Sequence, residues 1–256
     1  NLNGNWRYSR RWGNMSSLNW KGLTTFTEEK IAVYHQKKLE SLSALKLKTI
    51  LKRKNPYLFK AKNLLTASDL VKTLLDAHLS SHEETIFGDF LEELAIYVNA
   101  RVFGGRKSST EGIDLEFDND GIRYIVSIKS GPNWGNSSQI KKMKDNFTKA
   151  QRILHTGNTK LHIQPVNGCC YGQDNQPDKG AYWKLCGQRF WEFISDDDSL
   201  YTRLIDPIGH RAKDKNTDFH KQYAKVVNLF AAEFMQDFCD DGEINWTRLV
   251  EFNSAT

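Results

Sequence analysis

A chain of 256 residues, 39% hydrophobic and 26% charged, is long enough to bury a real core. No apolar run approaches the roughly 18 residues that a membrane-spanning helix needs, so a soluble protein is expected. A formal net charge of +5 leaves room for a polyanion partner without requiring one.

Residues 1–27 are polar, with Trp6, Arg7, Tyr8, Arg10, Arg11 and Trp12 interleaved, as in an arm that follows phosphates and stacks on bases, or in a plain tail. The segment shows neither an apolar core nor a small-residue cleavage site, so no secretory signal is expected in it. Cys169, Cys170, Cys186 and Cys239 form no C-x-x-C pair and no zinc-like spacing with His, which suits free thiols in a cytoplasmic protein. One domain is expected over residues 28–256.

From Thr27 the apolar residues Ile31, Tyr34, Leu42 and Leu45 recur at helical spacing, and the helix should stop before Asn55-Pro56. Ser68 predicts an N-cap for a helix through Leu79, with a second helix from about Glu83 to Asn99. On that second helix Ile86, Phe90 and Tyr97 form an apolar stripe whose i+7 position is Glu93, while Glu92 shares the polar face of Thr85, Gly88 and Asp89. A carboxylate on a half-buried stripe needs a cation, a set of donors or a metal.

A hairpin region from Arg101 to Lys129 comes next, followed by a helix over about 138–154 and a strand in LHIQPVNGCCYG. AYWKLCG predicts another strand and GQRFWEFI a short amphipathic helix. A long helix is expected at 218–238, with Phe219, Tyr223, Val226, Phe230 and Phe234 on one face. Strands alternating with helices imply an α/β fold: a mixed sheet with helices on both faces and further helices at each end.

The chemistry gathers in IDLEFDNDGIRYIVSIKSG. Asp120-Gly121 is a two-residue turn signal between alternating segments, so Asn119 should pair with Ile122 and Asp114 should fall opposite Ser127. Lys129 is then the diagonal neighbour of Asp114 on one face, and Glu116 and Asp118 share that face nearer the turn. A carboxylate and a backbone carbonyl offer hard oxygen ligands to Mg²⁺, and a lysine beside them suits an attacking water and a phosphate oxygen. The same pattern is also met by a plain cross-strand ion pair.

This arrangement resembles the PD-(D/E)XK nuclease superfamily, with Asp114 as the first acid and Ser127-Ile128-Lys129 in place of acid-x-lysine. Serine in the acid position departs from the motif, as in some type II restriction endonucleases that draw their second carboxylate from a helix. NPYLF, HEETIFGDFLEEL, IDLEF with VSIKSG, GCCYG, GQRFWEFI and INWTRLVEF, in that order, resemble the PmeII-like enzymes and relatives that cut interrupted GG/CC sites. The resemblance implies a restriction-endonuclease-like fold and a Mg²⁺-dependent, site-specific deoxyribonuclease of a restriction-modification system. Such an enzyme works as a homodimer on double-stranded DNA and leaves 5′-phosphates. It also implies that Asp114 and the Ile128 carbonyl bind metal and that Lys129 serves the attacking water, with Ser127 beside them. For the missing acid Glu93 is the first choice, then Glu92, then Asp145.

DNA readers are expected in two loops. Asn133, Trp134, Asn136, Ser137, Ser138 and Gln139 follow the catalytic strand, although Ser137 or Ser138 also suits a helix cap. Lys141 and Lys142 stand in the first turns of the next helix, where the dipole gives cations no help. Gln173, Asn175 and Lys179 form the second group. Two rival readings are a structure-selective repair or recombination nuclease and a catalytically inactive DNA-binding module.

Overall fold

The computed structural model describes residues 18–157 and 162–256. The aromatic and arginine cluster expected of an arm, from Trp6 to Trp12, lies outside the described residues.

α1 spans Trp20–Ser43. It begins ahead of Thr27 because Asn19 caps it, its Oδ1 accepting from Gly22 N at 3.1 Å. The single helix expected to run on toward residue 54 is interrupted, and α2 (Leu47–Leu51) starts after Lys46, whose backbone is extended at φ −127° and ψ 126°. Asn55 caps α3 (Pro56–Ala61), accepting from Tyr57 N at 3.0 Å, with Pro56 in the first turn where its missing N–H costs nothing. α4 is one helix, Ala67–Val102, where two were expected. Its cap is Thr66 rather than Ser68: Thr66 Oγ1 accepts from Asp69 N at 3.1 Å and donates to Asp69 Oδ2 at 2.8 Å. Ser80, Ser81 and His82 include neither Gly nor Pro, so nothing there stops the ladder.

β1 (Arg106–Lys107), β2 (Leu115–Asn119) and β3 (Ile122–Lys129) are antiparallel neighbours. Asp120 (φ 50°) and Gly121 (φ 75°) make the turn, both in the left-handed region that a two-residue hairpin loop demands. The register is the expected one, Asn119 pairing with Ile122 and Leu115 with Val126. α5 (Ser137–Gly157) carries the chain over to β4 (His162–Cys169), which runs parallel to β3. β5 (Trp183–Cys186) lies parallel to β4, giving the order β1-β2-β3-β4-β5.

Both faces of the sheet are covered. On one, Ile113, Ile125 and Ile163 pack with Met143, Phe147 and Ala150 of α5. On the other, Tyr124 stacks on Phe117 at 5.0 Å and meets Phe193 of α6 (Gln188–Ser195) edge-on at 5.0 Å. This helix-flanked mixed sheet is the restriction-endonuclease-like α/β fold.

The chain closes with α7 (Leu200–Arg203), α8 (Ile205–Ile208), α9 (Ala212–Phe238), the short pair β6 (Cys239–Asp240) and β7 (Glu243–Ile244), and α10 (Trp246–Ser254). α9 begins ahead of the expected 218, yet its buried face is the expected one at Val226, Phe230 and Phe234. Two compact units result. One holds the sheet and comprises Leu91–Pro207 with residues 18–27; the other, Glu28–Phe90 with Ile208–Thr256, is built largely of helices around Leu42, Leu74, Leu75 and Phe234. Cys169, Cys170 and Cys186 are buried and Cys239 is partly buried, all as free thiols. Among the described residues no helix is long and apolar enough to cross a membrane.

Candidate active site

Asp114 stands just ahead of β2, one residue beyond the last register pair, Leu115 with Val126, and not in the expected pairing with Ser127. Its backbone N donates to Val126 O at 2.8 Å, which fixes the residue against the next strand. Its Oδ2 accepts the Ile128 N–H at 2.6 Å, and Lys129 Nζ lies 3.9 Å from the same oxygen. The two side chains are 21% and 33% exposed, so the pair is partly desolvated yet open to a ligand. A carboxylate held by a charge-assisted N–H bond keeps one rotamer, and Lys129 meets it in a defined place.

A second carboxylate comes from α4. Burial raises the pKa of Glu92 and the nearby Asp114 raises it further; Lys107, whose Nζ is 3.2 Å from Glu92 Oε1, and Lys129 pull it down without cancelling the rise. Glu92 therefore stands in the field of both Asp114 and Lys129. Cys170 lies in the field of Glu92, its thiol pushed up first by burial and then by that carboxylate.

Glu93, placed on the buried stripe by sequence, is exposed. This stretch of α4 buries Leu91, Leu94, Ala95 and Val98 instead, and that phase leaves position 93 outside and position 92 half-buried. The expectation that Glu92 faces solvent is corrected by the same observation. Asp145 is exposed on α5. Glu116, on the face of Asp114, is buried and held by the Ser108 hydroxyl and by Arg106 at 3.4 Å.

Ser127 is buried, and its carbonyl accepts from Asn167 Nδ2 at 3.2 Å. Asn167, paired in register with Ser127 on β4, was not singled out from sequence; the available signal was an amide between Val166 and Gly168, past the polar start of the strand. Its Oδ1 accepts from Trp134 Nε1 at 3.1 Å.

The family model of type II restriction endonuclease EcoO109I matches residues 21–216. This chain belongs to that restriction endonuclease family. It is therefore a site-specific deoxyribonuclease acting on double-stranded DNA. No curated protein matches it.

In this restriction endonuclease the residues expected to read DNA fall into two groups. Asn136 and Gln139 are engaged in capping α5: Asn136 Oδ1 accepts from Gln139 N at 3.1 Å and Gln139 Oε1 accepts from Asn136 N at 2.9 Å. The Ser138 hydroxyl donates to Asn136 Oδ1 at 2.8 Å, so the cap is Asn136 where Ser137 or Ser138 was expected. Lys179 is paired with Asp174 at 3.0 Å. Burial works against ionisation of Asp174, but Lys179, the Gln176 N–H and Lys184 prevail and hold its pKa low. Lys184 Nζ also donates to Pro132 O at 2.9 Å, which ties the loop after β3 to the loop before β5. Asn133, Ser137, Gln173 and Asn175 are exposed, as are Lys141 and Lys142, which have no ion-pair partner among the described residues.

Proposed function

We propose that this endonuclease hydrolyses both strands of a specific duplex sequence with Mg²⁺, leaving 5′-phosphates, and that Asp114, Glu92, the Ile128 carbonyl and Lys129 carry the reaction. The observation that supports this reading is the meeting of Ile128 N–H and Lys129 Nζ on one carboxylate oxygen, at 2.6 Å and 3.9 Å, with a second carboxylate in the same field. Among the described residues no three His, Cys, Asp or Glu side chains gather to hold a metal ion. Two carboxylates are nonetheless the usual protein share for Mg²⁺, which keeps several waters. The raised proton affinity of Glu92 fits such a site, because part of it is repulsion from Asp114 that a cation would relieve.

When bound, such an ion supplies positive charge that offsets the charge growing on the phosphate. Lys129, anchored beside Asp114, donates to the attacking water and holds it in line with the scissile P–O bond. As the water oxygen bonds to phosphorus, giving up its proton to solvent, the P–O3′ bond breaks and the 3′-oxygen leaves to take a proton from solvent, while the same ammonium faces the phosphate oxygens and stabilises their added charge. Ser127 occupies the acid position of the motif without a charge to offer, so the helix carboxylate takes its place, and Glu92 is preferred to Glu93 or Asp145.

Lys141 and Lys142 suit the phosphate backbone, while Asn133, Ser137, Gln173 and Asn175 offer donors and acceptors to base edges. Asn136, Ser138, Gln139 and Lys179 act chiefly by shaping the two loops. Residues 28–256 serve as one endonuclease whose catalytic core is about 83–195 and which acts in the cytoplasm as a homodimer on a palindrome. The ordered motifs from NPYLF to INWTRLVEF favour a PmeII-like enzyme cutting an interrupted GG/CC site.

Digestion of phage DNA with Mg²⁺, followed by sequencing of the ends, tests this reading. Discrete fragments sharing one terminal sequence and 5′-phosphates are expected. Cutting confined to branched substrates would point to a repair nuclease, and intact DNA with binding retained would point to an inactive module; either result overturns the proposal.

A further inference from the structure

The half-buried ring of Trp134, in the loop between β3 and α5, is held from two sides. Its Nε1–H donates to Asn167 Oδ1 at 3.1 Å, and Lys129 Nζ stands 5.5 Å from the ring centroid. Asn167 is itself immobilised: it is 1% exposed, its amide donates to the Ser127 carbonyl at 3.2 Å, and Cys169 Sγ approaches its Oδ1 at 3.9 Å. A tryptophan that read DNA would need its N–H or a ring face for a base. Here the N–H is taken by a buried amide and the Lys129 ammonium lies within cation–π range of the ring.

We propose that Trp134 and Asn167 are positioning residues for Lys129. Asn167 fixes the indole against the sheet, and the indole limits where the lysine can swing. A lysine has a long, freely rotating stem, and Asp114 at 3.9 Å restrains only its tip from one side. The ring supplies the second restraint, so the ammonium stays where the attacking water and phosphate must come. Asn167 reaches the same point by a second route, because it also holds the Ser127 carbonyl two residues before the lysine. This inference rests on the role proposed for Lys129, and the experiment separates the two.

Single-turnover cleavage is measured with Mg²⁺, and DNA affinity is measured with Ca²⁺ in its place. Lys129→Ala should slow cleavage by at least about 100-fold. Trp134→Ala and Asn167→Ala should each slow it by about 10- to 100-fold, the scale of a misplaced catalytic group, with affinity changed by less than about threefold. Trp134→Phe, which keeps an aromatic face, should recover most of the rate, and Trp134→Leu should not. Unimpaired cleavage by Lys129→Ala would remove the role of the lysine itself. A slow Lys129→Ala with Trp134→Ala at full rate, or with rate and affinity lost in equal proportion, would overturn the positioning role alone. Should circular dichroism show Trp134→Ala unfolded, the Phe and Leu variants decide, and equal rates for those two refute the proposal.

Discussion

Glu92 and Glu93 are adjacent in sequence and about 100° apart around the axis of α4, so the two carboxylates present different faces to the sheet. Burial marks Glu92 as the one beside Asp114, since a half-buried carboxylate whose proton affinity is raised by another is one that a cation would stabilise. Glu92→Gln should therefore lose at least about 100-fold in Mg²⁺-dependent cleavage with an unchanged circular dichroism spectrum, while Glu93→Gln stays within about threefold of the parent. The reverse ranking would return the role to Glu93. That Asp114 and Lys129 approach one another was legible in the sequence because a two-residue turn fixes the register of β2 against β3, and Asp114 lies one residue beyond its last pair. The helix carboxylate was not. A stripe drawn through Ile86, Phe90 and Tyr97 gives the wrong phase once the helix buries Leu91, Leu94, Ala95 and Val98. Asn167 escaped notice for another reason: its partners, Ser127 and Trp134, come from chain segments more than a helix away and meet only through strand pairing.

At the scale of an element, α5 shows how one segment serves two purposes. Its buried side, Met143, Phe147 and Ala150, packs on the sheet, and its first turn is closed by the reciprocal Asn136 and Gln139 cap. On the outer side Lys149 is paired with Glu111 at 3.6 Å and Lys144 lies 5.9 Å from the ring of Tyr182. That leaves Lys141 and Lys142 exposed near the positive end of the helix dipole, where an anion is the natural companion. If both contact phosphate, their joint replacement by Ala should weaken DNA binding across all sequences and reduce the slope of log K against log salt by about 1.8, since each phosphate contact contributes about 0.9. An unchanged slope would leave them as solvated charges. Elements with a strong period were legible in position, as with β3, α5 and the buried face of α9, whereas the ends of the helices were not. α1 and α4 begin at Asn19 and Thr66, caps that compete with several equally plausible polar neighbours, and only the backbone hydrogen bonds decide between them.

For the molecule as a whole, the two units carry different titratable groups, and among the described residues the histidines of lowered pKa, which act between about pH 7.5 and pH 5.5, lie in the helical unit. The helical unit holds His35 and His78, both with lowered pKa values. For His35 burial is the main cause, followed by Lys38 and Lys215, with Glu83 opposing; for His78 it is burial, then Lys54, His82 and Arg53. A histidine whose folded pKa lies below its unfolded one binds fewer protons folded than unfolded, so acid favours the unfolded chain. The stabilising contribution is complete above the unfolded value of about 6.5 and falls as pH drops from there through the folded values. Native-state hydrogen exchange should accordingly show the amides of α9, in the helical unit, losing protection between pH 7.5 and pH 5.5. A His35→Gln, His78→Gln double variant, which cannot titrate at either site, should flatten that dependence. Loss of the same size in parent and variant would mean that the two histidines do not govern it.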